Sequence, residues 1–299
     1  MVENSDRPLA GIVLRLMSGL LFAGMLVCVK WVSDEVPLGQ VVFFRSAFAL
    51  LPIVIFLAWR REFPAALATR RPGGHLLRSG MGAAAMFASF AAVARLPVAE
   101  ATLLAQLAPV LMALGGVLIL GERFTLLRAA ALGLAVCGVA VLVVPDLGTG
   151  RDAGRVLGYG LGILGSLLTA GALLTVRRIS RTETAGAIAF YFVLVCTLAG
   201  LATWPLGWVR LPGQTLALLI FAGLFGGAAH ICMTLALRYA EVSRLAPFEY
   251  VALIWPVLAD LWLFRLPLSA GFAVALPFVL GAAALAALEG RRLRWPLRR

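Results

Sequence analysis

Charge is what this sequence has least of. Asp, Glu, Lys and Arg together make up 13% of its 299 residues, against about 25% in a soluble domain, and Lys30 is the single lysine. Hydrophobic residues reach 62% and the mean hydropathy is +0.98. That much apolar surface cannot be hidden in one water-soluble core, so lipid must be the solvent for much of it. Histidine occurs only as His75 and His230, which argues against a metal cluster. Cys28, Cys137, Cys196 and Cys232 lie inside apolar runs without CxxC spacing, so packing explains them better than disulfides or metal ligation. No Walker A sequence is present, which removes ATP hydrolysis as the drive within this chain. Paired catalytic groups are also missing, so neither an enzymatic reaction nor a cofactor is expected. The net charge of +12 does not imply nucleic acid, because the positive residues sit at the ends of apolar runs rather than among exposed aromatics.

The long apolar runs that remain define the architecture. A spanning helix needs about 20 mostly apolar residues, and ten stretches qualify: Ala10–Trp31, Leu38–Trp59, Gly74–Ala94, Val98–Leu120, Thr125–Val144, Val156–Val176, Ala185–Pro205, Gln214–Leu237, Arg244–Phe264 and Ser269–Leu288. They are continuously apolar rather than alternating, which selects helices over barrel strands. Met1–Leu9 carries Glu3, Asp6 and Arg7, lacks the basic region of a signal peptide, and precedes a first helix read as retained. Ten spans put both termini on one side. Nineteen arginines fall on that side, from Arg7 and Arg15 to Arg298 and Arg299, against Lys30, Arg95, Arg151, Arg155, Arg210 and Arg265 opposite. The positive-inside rule therefore places both termini in the cytoplasm. The expected class is an all-α multi-pass protein of the inner (plasma) membrane, with the lipid bilayer as its first partner.

The chain also repeats itself. A shift of 147 aligns Gly11–Ser33 with Gly158–Ser180 without a gap, and a shift of 143 pairs Gly80 with Gly223, Ala85 with Ala228, Arg95 with Arg238 and Gly138 with Gly281. Residues 1–148 and 149–299 thus read as two five-helix repeats, and an odd number of spans inverts the second relative to the first. Inverted repeats are the pattern of alternating-access carriers, which hold a substrate site near the bilayer midplane. A pore or a membrane enzyme could share the pattern, but neither requires it.

The stretch Leu96-Pro-Val-Ala-Glu-Ala-Thr-Leu-Leu-Ala-Gln-Leu-Ala-Pro-Val110, followed by Leu120-Gly-Glu-Arg-Phe-Thr125, resembles the EamA repeat of the drug/metabolite transporter superfamily. Arg45, in Phe43-Phe-Arg-Ser46, stands where that family often carries an arginine. The resemblance covers essentially the whole chain as two copies. It implies a ten-helix exporter of amino acids or other small metabolites, aromatic amino acids favoured, with the fifth and tenth helices peripheral. A multidrug or nucleotide-sugar carrier is the alternative within the fold, and a channel the alternative outside it. The second copy departs from the pattern: Phe264-Arg265 replaces Gly121-Glu122, and Phe192 is the counterpart of Arg45.

A central charge in a membrane helix costs about 2.5–3.5 kcal/mol on insertion scales, so polar groups at depth mark candidate sites. Arg45 suits bidentate recognition of a substrate carboxylate or a structural tether to backbone carbonyls. Gln106 and Glu249 are equivalent under the 143 shift and lie near Pro109, Pro247 and Pro256, whose helices should be kinked. Both are candidates for a midplane site; the alternatives are that Gln106 hydrogen-bonds a neighbouring helix and that Glu249 reaches the cytoplasmic interface. His230, beside Gly226 and Gly227, is a candidate for a proton relay, a substrate hydrogen bond or neutral packing; a proton is therefore a candidate partner. The two glycines are read as permitting close helix approach. Phe90, Tyr191, Tyr250 and Trp255 are candidates to wall an apolar cavity. Glu122 and Asp260 are assigned capping or ion-pair roles, and Lys30 a surface pair with Asp34 and Glu35.

Overall fold

The structure is a computed structural model that describes residues 8–292, apart from 62, 65–66, 70, 121–123, 150–152, 181, 241–244, 246–247 and 249; for 120, 148–149, 238 and 289–292 it describes the backbone alone. Its helices are α1 (Pro8–Val32), α2 (Leu38–Trp59), α3 (Pro72–Arg95), α4 (Val98–Ala105), α5 (Ala108–Leu120), α6 (Leu126–Thr149), α7 (Ala153–Ile179), α8 (Ala185–Leu201), α9 (Gly213–Tyr239), α10 (Ile254–Trp262) and α11 (Ala270–Arg292). Nine segments among the described residues are long and apolar enough to cross a membrane. The expected ninth span, Arg244–Phe264, falls partly outside the described residues and is represented by helical residues up to Val251 and then α10. The face at which α1 begins is called the near face below, and the opposite one the far face.

Two spans are broken where proline requires it. Pro109 cannot donate to the carbonyl one turn earlier, so the ladder of α4 ends at Ala105. The amides of Gln106 and Leu107 instead reach Leu103 and Leu104, three residues back, before Leu111 resumes the α pattern on Leu107. Pro256 has the same effect: Leu253 donates to Tyr250 and Trp255 to Ala252 before Val257 returns to Leu253. These tight turns are the kinks anticipated from the prolines. Pro109 and Pro256 are 147 apart, so at the level of the breaks Leu253, rather than Glu249, is the partner of Gln106.

The main helix pairs join the first half of the chain to the second: α3 with α7, α1 with α9, α6 with α11, and α2 with both α8 and α9. Small residues make these approaches possible. A Cβ at Gly223 of α9 would stand 2.8 Å from the Arg45 carbonyl of α2, and one at Gly227 would stand 2.8 Å from that of Ala49. In α7, Gly165 faces the Ala85 carbonyl and the Ser89 amide of α3. The pair α6 and α11 packs mostly on itself and flanks the rest.

The α3–α4 corner on the far face is held from two directions. Lys30 of α1 donates from Nζ to the carbonyls of Ala94 (3.0 Å) and Leu96 (3.1 Å) at the end of α3. Asp260 of α10 accepts from the amides of Val98 (3.0 Å) and Ala99 (2.7 Å) at the start of α4. A cation on helix-terminal carbonyls and a carboxylate on helix-initial amides both match the helix dipole. Asp260 is thus a cap, as expected, while Lys30 is a cap instead of the surface pair assigned to it.

Candidate functional site

A cavity of about 780 Å³ opens at the far face between α1, α2, α3 and α7, within the usual size for a small-molecule site. Its mouth carries Ser33, Asp34, Glu35 and Arg95, and its deeper wall is Val29, Val41, Phe90 and Leu161. Phe90, a candidate from sequence, is 3% exposed and belongs to this wall.

Below it lies Arg45. One helical turn inward from Val29, Val41 and Phe90, on the same helix faces, come Met25, Arg45 and Met86. Arg45 is 2% exposed. Its Nε and Nη2 each lie 3.2 Å from the Met25 sulfur and its Nη1 lies 3.9 Å from the Met86 sulfur. Thioethers are weak acceptors, and no described carboxylate or carbonyl pairs with this guanidinium. The expected alternative of a tether to backbone carbonyls is therefore not what the geometry displays. Gly226 of α9 gives the guanidinium its space, since a Cβ there would meet Nη2 at 2.9 Å.

His230 follows Gly226 by one turn. Phe22 presents an edge to its ring at 5.1 Å between centroids, and Phe192 does so at 6.3 Å. Its ring nitrogens make no hydrogen bond to a described residue, and it lies within electrostatic reach of both Arg45 and Arg78. Sequence reasoning counted Arg78 only among the basic residues of the near face. In the structure its Cζ lies 4.0 Å from the centroid of the Phe192 ring, a cation–π distance. Its Nε and Nη1 are buried without a hydrogen-bond partner among the described residues. The available signal was Gly82, one turn along α3: a Cβ there would press on both Arg78 and Phe192.

The remaining candidates lie elsewhere. Gln106 caps the α4 break, half-buried, and its side chain hydrogen-bonds to no described residue. Tyr191 is at the near face, its hydroxyl donating to the Leu67 carbonyl at 2.8 Å and its ring against His75 at 4.8 Å. It ties a loop down rather than walling the far-face cavity, because its hydroxyl needs an acceptor and Leu67 supplies one. Trp255 packs beside Gly19 of α1, with its indole nitrogen buried and unpartnered among the described residues. Tyr250 is half-buried just before the second break. Glu249 and Glu122 lie outside the described residues.

Two polar clusters were not foreseen. At the near face His75 Nε2 meets Glu183 Oε2 at 3.0 Å, both side chains almost wholly buried, which closes α3 onto the α7–α8 connection. At the far face Glu100, 2% exposed, accepts from Arg155 (3.0 Å), Tyr159 (3.0 Å) and Ser269 (2.9 Å), and Arg155 also pairs with Asp146 at 2.9 Å. Such groups escape a sequence reading because each partner comes from a distant helix.

Residues 9–144 match the EamA-like transporter family. A riboflavin transporter of Rhizobium johnstonii is 30% identical over 286 residues, covering 94% of this chain and 90% of that protein. A pseudopaline exporter of Pseudomonas aeruginosa is 28% identical over 250 residues, covering 82% of this chain and 84% of that protein. Solute carrier family 35 member G1 of Homo sapiens is 24% identical over 281 residues. A solved structure shares the fold with a TM-score of 0.66 at 22% identity, covering 95% of this chain and 98% of that one.

Proposed function

Since the chain belongs to the EamA-like transporter family of the drug/metabolite transporter superfamily, and so is a multi-pass membrane transporter of small metabolites rather than an enzyme, we propose that it is a secondary exporter of amphipathic carboxylates, aromatic amino acids foremost, working by alternating access in the inner membrane. The observation that carries this reading is Arg45: a guanidinium held between two thioethers with no carboxylate of its own among the described residues, one turn beneath a far-face cavity. A buried guanidinium without a counter-ion is the group that a substrate carboxylate completes, in bidentate geometry. Phe90 in the cavity wall and the Phe22 and Phe192 rings beside His230 are the apolar groups we assign to the rest of the cargo.

The far face is the periplasmic one on the distribution of arginines, and the site is then open outward while His75 and Glu183 close it inward. The alternation of packing, α1 with α9 matched by α7 with α3, supports two inverted five-helix repeats, 1–148 and 149–299. Counterflow into proteoliposomes tests the function directly. Labelled aromatic amino acids should exchange saturably against internal cargo, and Arg45→Met should slow exchange by about 10- to 150-fold at matched insertion. A pH gradient that leaves the rate unchanged would exclude the proton as partner. Equal uptake of neutral ester analogues would overturn the carboxylate reading.

A further inference from the structure

Arg45 does not stand alone in lacking a counter-ion among the described residues. It enters the bundle from the far-face end of α2 and Arg78 from the near-face end of α3, each about 10 Å along its helix. Both approach the level of His230 and Cys196, which lie within electrostatic reach of the two guanidiniums. Aromatic rings gather at that level. The Phe22 and Phe192 rings flank His230, and Phe192 also forms the floor under Arg78. No described carboxylate pairs with either cation, and Nε and Nη1 of Arg78 are buried with no described group to donate to.

Two buried guanidiniums without a carboxylate among the described residues are costly for the empty protein. An isolated charge in such surroundings is retained where a ligand neutralises it. The two guanidiniums have separate surroundings, Arg78 on the Phe192 ring and Arg45 on the Met25 and Met86 sulfurs, so each calls for its own anion. Resting on the carboxylate reading above, we propose that Arg78 forms a second anion subsite, and that the preferred cargo is a dianion: two carboxylates at opposite ends of a flat or apolar spacer. Arg78 lies on the near-face side and receives the anionic group that enters first from the cytoplasm. Arg45 lies on the far-face side and holds the group that leads toward the cavity. The spacer lies along Phe192 and Phe22, where an aromatic ring stacks edge-to-face.

The test is calorimetric titration of the full-length protein in nanodiscs with three matched probes: 3-phenylpropanoate, benzene-1,4-diacetate and its dimethyl ester. The dianion should bind at least tenfold more tightly than the monoanion, and the ester weakest. Arg78→Met should bring the dianion down to the affinity of the monoanion and leave the monoanion unchanged. Arg45→Met should weaken both. Where Arg78→Met is not monodisperse, Arg78→Gln, which retains the stem over Phe192, should give the same collapse. Equal affinity for mono- and dianion in the wild-type protein overturns the second subsite while leaving the carboxylate reading intact. So does a dianion preference that survives removal of Arg78, which would make that residue a packing partner of Phe192. An ester that binds as well as the acids overturns both.

Discussion

Replacing Arg45 by Met separates a binding residue from a structural one, because the two roles predict opposite signs for stability. The guanidinium is 2% exposed, and its contacts to described residues are two thioether sulfurs and the surface of Gly226. An arginine tethered to backbone carbonyls would contribute about 1.5–3 kcal/mol through charged hydrogen bonds, and its loss would destabilise the fold by that amount. Here those bonds are absent and the insertion cost of about 2.5–3.5 kcal/mol is nearly uncompensated. Met fills a similar volume beside Met25 and Met86 and carries no charge to bury. Arg45→Met should therefore raise the thermal midpoint of the purified protein, with a gain on the order of 1–2 kcal/mol once partial loss of packing is allowed for. Over the same substitution, transport should fall by about 10- to 150-fold in kcat/KM, the equivalent of one charge-assisted contact to the substrate. Thermal unfolding in detergent and initial rates in proteoliposomes read the two effects separately. A lowered midpoint with unchanged rates would refute the argument, since it would make Arg45 a strut.

The polar clusters at the two faces predict differently. Asp260→Ala leaves the Val98 and Ala99 amides without their acceptor and should lower stability by about 1–3 kcal/mol, measured as the thermal midpoint, while substrate affinity is unchanged. Glu100→Gln leaves Arg155 and Tyr159 facing a neutral amide and should cost up to about 3–5 kcal/mol if the network acts as a buried ion pair; a loss below 1 kcal/mol would show that water replaces the carboxylate. His75→Ala removes the buried contact to Glu183 and should shift the conformational balance toward opening at the near face. Its readout is faster alkylation of a cysteine introduced near Gly74 of α3, and an unchanged rate would mean that the pair does not hold the closure.

What sequence made legible, and what it did not, follows from the range of each interaction. Helix placement is local: α2, expected at Leu38–Trp59, has those bounds, because hydropathy alone sets it. The breaks were legible too, since Pro109 and Pro256 act on their own helices. The end of α8 was not. It stops at Leu201, earlier than the Pro205 expected, and Trp204–Leu206 forms a tight turn closed by Gly207 at φ 94°, a stop that continuous hydropathy hides. Arg45 was found because a charge within an apolar run is conspicuous. Arg78 was missed because a charge six residues into a span reads as an interfacial one, and only the approach of Phe192 from α8 draws it inward. Lys30 was misassigned for a related reason: Asp34 and Glu35 are its neighbours in sequence, but the carbonyls it needs are those of Ala94 and Leu96.

The exchange of Arg45 for Phe192 between the two halves then takes on a different meaning. Sequence alone suggests a role performed once, by the first half, and lost from the second. The structure places Phe192 under the guanidinium of Arg78, so the position that lacks an arginine receives one from a neighbouring helix. The two buried guanidiniums thus come from helices that are not each other's counterparts under the shift, α2 and α3. Strict two-fold symmetry would give a site equally suited to either end of a cargo in either state. The two helices differ in their main partners, α3 packing most on α7 and α2 on α9, with α8 shared by both. On the dianion reading proposed above, that difference lets the two anion contacts be made and broken in sequence, which symmetric placement of the arginines would not.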